Sequence, residues 1–152
     1  MTGSLDHYHP LAPVHGMRAA PLAAVDELRV PPDLDAWVAD GRRDELVFRA
    51  VKHIMDDEPY LAGHFPGFPV LPGVFILECL DQAIRQVLAG RSVRLSAVRS
   101  MRFLAPIFPG DTMHLDVSVR ASAEPGIWVV RSRCCRDDDL RIAAITAEFA
   151  GS

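Results

Sequence analysis

The sequence predicts an α+β domain in which an antiparallel sheet wraps around one long central helix. Three observations predict it. Two strand-like segments precede Pro59, one strongly apolar helical run opens at Pro72 and Gly73, and four strand segments separated by turn signals fill the chain beyond Gly90.

The first of the 152 residues, 1–20, carry His7, His9 and His15 among Pro, Gly and Ala without any periodicity, as a flexible arm does. His7 and His9 lack the acidic or cysteine companions of a metal site. Residues 21–152 form a single domain. Pro21–Val30 reads as a first strand with Val25, Leu28 and Val30 as its apolar residues, stopped by Pro31-Pro32. Asp33 can then cap a short helix that ends at Gly41, with Leu34, Trp37 and Val38 on one face, and this segment reads as a surface insertion. Leu46–Ile54 alternates as a second strand, bounded by the polar turn Asp56-Asp57-Glu58-Pro59.

A loop stiffened by Pro66, Gly67, Pro69, Pro72 and Gly73 follows and holds His64 in a fixed direction. Pro72 and Gly73 open a helix that runs to about Ala89, with Gly90 as its stop signal. Its first turns, Val74-Phe75-Ile76-Leu77, are apolar on every side, the pattern of a helix buried against a sheet. Glu78, Gln82 and Arg85 share one stripe of that helix, so Gln82 can hydrogen-bond the Glu78 carboxylate. Strands are expected at Val93–Leu104, Met113–Ala121, Ile127–Cys135 and Leu140–Phe149. Pro109-Gly110-Asp111, Glu124-Pro125-Gly126 and Asp137-Asp138-Asp139 mark the turns between them. The long edges of such a sheet are covered most simply by dimerisation.

Composition narrows the function classes. A hydrophobic share of 49% and a charged share of 24% describe an ordinary globular chain. No run approaches the roughly 20 apolar residues that cross a bilayer, and His and Pro stand where a signal peptide carries its apolar stretch, so a cytoplasmic location is expected. Net charge of −4 argues against general affinity for nucleic acid. Cys79, Cys134 and Cys135 lack metal-site spacing and read as reduced structural thiols. The three consecutive aspartates lack the ligand spacing of a calcium loop and read as a solvated turn.

The remaining chemistry lies in the central stretch. His64 is a natural general base near neutral pH, and burial would raise the pKa of Glu78 into the range of a general acid. The N–H of Gly73, at a helix N-terminus, can stabilise an enolate-like oxygen. Together these groups suit removal of a proton next to a carbonyl.

Gly63-His64-Phe65-Pro66-Gly67, Pro69-Val70-Leu71-Pro72-Gly73-Val74 and Glu78-Cys79-Leu80-Asp81-Gln82-Ala83 resemble the signature of the hot-dog-fold 3-hydroxyacyl acyl-carrier-protein dehydratases of glutamate type. The resemblance extends to Phe48-Arg49-Ala50-Val51-Lys52 with Glu58-Pro59, and to Arg102-Phe103-Leu104-Ala105-Pro106 with Pro109-Gly110-Asp111. It covers about residues 18–150.

It implies a sheet wrapped around the helix and a homodimer, or a larger dimer-based assembly, with each active site at the subunit interface. His64 of one subunit would take the α-proton, and Glu78 of the other would protonate the departing β-hydroxyl, leaving a trans-2-enoyl thioester. Gln82 would position Glu78, the Gly73 N–H would bind the thioester oxygen, and Phe65 and Val74 would line the substrate site. No metal or redox cofactor is implied, because dehydration moves no electrons; the substrate arrives on the phosphopantetheine of an acyl carrier protein. Carrier proteins of this kind are acidic, so a basic docking patch is expected among Arg91, Arg94, Arg99, Arg102, Arg131, Arg133 and Arg136, with Arg99 and Arg102 as the pair to test.

Departures from the family pattern point to specialised acyl or polyketide-type metabolism. The N-terminal run is reduced to Arg18-Ala19-Ala20-Pro21-Leu22, residues 31–44 are longer than usual, and Leu95–Ser100 carries no aromatic residue. Two alternatives remain open on sequence alone: a non-catalytic subunit of a hot-dog heterodimer, and a thioesterase or coenzyme A hydratase of the same fold.

Overall fold

The computed structural model describes residues 24–40, 45–55, 73–89 and 91–151. Its elements are β1 (Glu27–Arg29), α1 (Leu34–Asp40), β2 (Leu46–His53), α2 (Gly73–Val87), β3 (Val93–Phe103), β4 (Thr112–Ala121), β5 (Ile127–Arg136) and β6 (Arg141–Gly151). The strands form one antiparallel sheet in the order β1-β2-β4-β5-β6-β3.

Alternation along the strands decides which face is buried. Met113, Leu115, Val117 and Val119 of β4 point inward, as do Trp128, Val130 and Cys134 of β5 and Ile145, Ala147 and Phe149 of β6. The apolar face of α2, including Phe75, Ile76, Cys79, Leu80, Ala83 and Ile84, joins the same core. Burial on that scale, at about 1.5–3 kcal/mol per large apolar side chain, holds the helix in place. The expected turns form: Gly110 and Gly126 take φ of 94° and 79°, and Asp139 takes 64°. In the last turn Arg136 pairs with Asp138 at 2.8 Å, and His114 lies 2.6 Å from Asp137, so two of the three aspartates are engaged by protein.

Two expectations need correction. The first strand is shorter than the expected 21–30. Only Glu27–Arg29 pairs with β2, against Val51, Ala50 and Arg49, and residues 21–23 lie outside the described residues. Ahead of the strand, the Ala24 N–H goes to the side chain of Gln82, which diverts the backbone from the ladder.

The second correction concerns α1, which is part of the core and not a surface insertion. Trp37 is 2% exposed, and its ring lies 5.4 Å from that of Trp128 at a tilt of 47°. Leu34 and Val38 pack beside it. Arg91 clasps the arrangement, donating from Nε to the Val38 carbonyl at 3.0 Å with its guanidinium 5.5 Å from the centre of the Trp128 ring.

Candidate active site

The site is built on the first half of α2. Glu78 is half-buried there, one turn before the fully buried Gln82. The Nε2 of Gln82 donates to Glu78 Oε2 at 2.8 Å, the bond the i,i+4 spacing predicts. Its other end is fixed as well, because Gln82 Oε1 accepts the Ala24 N–H at 3.0 Å. A backbone N–H can only donate, so the amide oxygen must face Ala24 and the amide nitrogen must face Glu78. Gln82 therefore presents a donor, locked in orientation, to one oxygen of the carboxyl.

Burial pushes the Glu78 carboxyl up to about 8; the neighbouring Asp81 carboxylate adds to the rise and Arg85 opposes it. At neutral pH the group is a protonated acid. With Oε2 accepting from Gln82, Oε1 is the oxygen free to carry and deliver the proton. Asp81 is itself held in an ion pair with Arg85 at 3.0 Å, one turn along the helix.

Glu78 opens onto a cleft of about 320 Å³. Val74, Leu77 and Leu95 form its apolar part, and Asp81, Arg85 and Arg94 its polar part. Gly73 begins α2, and the ring of Phe103 lies directly over it: a Cβ at this position would stand 2.2 Å from Phe103 Cζ. Only glycine fits without displacing the ring. Among the described residues no group of three or more His, Cys, Asp or Glu side chains is arranged to hold a metal ion. Cys79 is fully buried, which pushes its thiol well above the ordinary range and keeps it inert.

Of the residues expected at the site, Gly73, Val74, Glu78 and Gln82 come together on α2. His64 and Phe65 lie outside the described residues. The arginines fall into separate groups. Arg94 lines the Glu78 cleft. Arg99 is already paired with Glu148 at 2.9 Å, and Arg91 and Arg136 are engaged as described above. Arg102 is exposed on β3, and Arg131 and Arg133 are exposed on β5. Sequence reasoning missed the Ala24 backbone as the anchor of Gln82. It also missed Asp81 and Arg85 as the charges tuning Glu78, although their i+3 and i+7 positions on the helix carried that signal.

A family profile described as ApeI-like, ApeI dehydratase, matches residues 41–138, well over half of the chain. The chain belongs to the ApeI-like dehydratase family. The curated proteins similar to this ApeI-like dehydratase include a 3-hydroxyacyl acyl-carrier-protein dehydratase FabZ of Alkalilimnicola ehrlichii, 35% identical over 73% of this chain and 76% of that one. Another, of Thermus thermophilus, is 37% identical over 66% and 75%. Among solved structures, the dehydratase heterocomplex ApeI:P from Xenorhabdus doucetiae aligns with a TM-score of 0.55 at 21% identity, covering 68% of this chain and 87% of that one. A hot-dog-like protein from Thermanaerovibrio acidaminovorans aligns with a TM-score of 0.62 at 16% identity, covering 74% and 85%. The fold of the ApeI-like dehydratase is thus the hot-dog fold that the motif resemblance implied.

Proposed function

We propose that this dehydratase removes water from a (3R)-3-hydroxyacyl thioester carried on an acyl carrier protein, giving the trans-2-enoyl thioester. The observation that carries the reading is the Glu78 carboxyl, protonated to about pH 8 and held by an amide whose orientation is itself fixed. The curated relatives are named for this reaction. In the proposed step His64 takes the α-proton and the C–H electron pair becomes the new carbon–carbon double bond. The β-carbon–oxygen bond breaks as Glu78 delivers its proton, and the hydroxyl leaves as water. The Gly73 N–H steadies the negative charge that gathers on the thioester oxygen during proton removal. Protons and hydroxide move, but no electrons are transferred, so the chemistry calls for no redox cofactor.

His64 and Glu78 are contributed by different copies, and the site is completed at a dimer interface. The free edge of the sheet supports this reading. β3 runs eleven residues with β6 as its one partner among the described strands, and it carries exposed Val98 and Phe103. A homodimer or a heterodimer with a second hot-dog chain would cover that edge, and the heterocomplex among the similar structures keeps both open. The carrier protein docks beside the Glu78 cleft, where Arg94 supplies free positive charge; Arg102 pairs in register with Ala144 and so lies on the opposite face of the sheet.

The test is to incubate the protein with 3-hydroxyacyl carrier proteins of several chain lengths and follow product mass. A dehydratase yields the enoyl thioester with the carrier still attached; a thioesterase would release free acid. Carrier affinity after charge reversal should separate the arginines. Arg94→Glu is expected to weaken binding severalfold, and Arg99→Glu much less, because Glu148 already neutralises Arg99. Equal loss in both variants would contradict the assignment.

A further inference from the structure

The face of the sheet turned away from α2 carries a second feature that the dehydration chemistry does not use. A groove of about 440 Å³ runs across β4, β5 and β6. Small side chains, Ser118, Ala144 and Thr146, line it beside three arginines, Arg131, Arg133 and Arg141. Register explains its shape. Arg131 stands between Ser118 and Thr146 on the neighbouring strands, and Arg133 between Asp116 and Ala144, so the short side chains leave a trough between the long ones.

The charge on this face is unbalanced. Its carboxylates are already paired: Asp116 with Arg49 at 2.7 Å, Glu148 with Arg99 at 2.9 Å and Glu45 with Arg120 at 3.6 Å. Arg131, Arg133 and Arg141 are exposed and take part in no ion pair among the described residues. Three free guanidiniums therefore gather on one face of a chain whose net charge is −4. Like charge on two such faces opposes their stacking against each other.

We infer that this groove docks an extended acidic segment of a partner protein, distinct from the carrier that delivers substrate. Spacing supports the choice. Arg131 and Arg133 are alternate residues of one strand and so stand about 7 Å apart, the same repeat as carboxylates on alternate residues of an extended chain. Exposed Val47 at the end of the groove offers an apolar anchor. The lining has no aromatic side chain on which a base could stack, which disfavours a single-stranded nucleic acid. The face is also separate from the cleft that opens at Glu78, since Arg131 and Arg133 project from β5 on the side opposite the inward Val130 and Cys134.

The experiment uses a fluorescent peptide of alternating Glu and Thr, about ten residues long, against the full-length protein. Binding is expected to weaken as salt is raised. It should fall about tenfold in the variant Arg131→Gln/Arg133→Gln/Arg141→Gln, and comparably in Ala144→Glu, which sets a carboxylate beside Arg133. Circular dichroism confirms that both variants are folded. Three outcomes overturn the inference: binding that neither variant weakens, tighter arginine-dependent binding of duplex DNA or of phosphatidylglycerol vesicles than of the peptide, or competition between the peptide and carrier-bound substrate. The last would make the groove the substrate carrier's own dock. Peptide binding is read without turnover, so its failure is separable from failure of the dehydratase reading.

Discussion

Replacing Glu78 by glutamine is expected to abolish dehydration and, at the same time, to stabilise the fold by an amount that depends on pH. The side chain keeps its shape, and its new amide oxygen can accept the bond that Gln82 now donates to Glu78. Only ionisation changes. The ordinary carboxyl ionises near 4.5, whereas in the fold it keeps its proton to about 8. Below pH 4.5 the folded and unfolded wild type are both protonated, and the variant gains little. Between the two values the unfolded chain has lost a proton that folding must restore, so wild-type stability falls as pH rises; the fall ends near pH 8, where the folded group ionises too. At about 1.4 kcal/mol per pH unit the whole interval amounts to about 5 kcal/mol. Glu78 is only half-buried, and solvent screening leaves roughly a third of that, so the expected gain in Glu78→Gln is about 1–2 kcal/mol above pH 8. Urea unfolding from about pH 4 to about pH 9, at one fixed protein concentration because assembly also stabilises, measures the difference. A gap that stays constant with pH, or widens as pH falls, refutes the reasoning.

Further outcomes follow from the same geometry. The pH dependence of kcat/KM should fall above about 8 as Glu78 loses its proton; activity that keeps rising past pH 9 contradicts the acid's role. Gly73→Ala should cost about 1 kcal/mol, because the methyl group displaces a ring exposed enough to swing aside, and most of that cost should vanish in a Phe103→Ala background. Additive effects in that double-mutant cycle would mean that the two sites do not touch. Trp37→Ala should lose about 3–5 kcal/mol in the same unfolding assay, whereas a loss under about 1 kcal/mol would place α1 outside the core.

Much of this arrangement was legible because it is local. Glu78 and Gln82 are one helical turn apart, so their hydrogen bond follows from spacing alone, and the apolar run around Glu78 announced the burial that raises its pKa. Contacts between distant parts of the chain were not legible. Ala24 and Gln82 are 58 positions apart, and a backbone N–H carries no sequence signature, so the lock on Gln82 required the fold. Arg99 looked like a docking charge until register brought it beside Glu148, and that register depends on two irregularities in the pairing of β3 with β6. In α1 the signal was present but read the wrong way. Leu34, Trp37 and Val38 do share a face, yet a seven-residue helix between prolines and a Gly-Arg-Arg run resembles an insertion unless its tryptophan is given a partner. Trp128, 91 positions later (128 − 37), is that partner.

The central claim is that His64 of one copy and Glu78 of another share one dehydration site, and subunit mixing tests it most directly. His64→Ala and Glu78→Gln should each be inactive alone on 3-hydroxyacyl carrier protein. Each mixed dimer retains one site with both groups intact, so unfolding and refolding the two variants together in equal amounts should restore roughly a quarter of wild-type activity. Exchanged mixtures that stay inactive, while wild type taken through the same procedure dehydrates the substrate, would contradict the shared site.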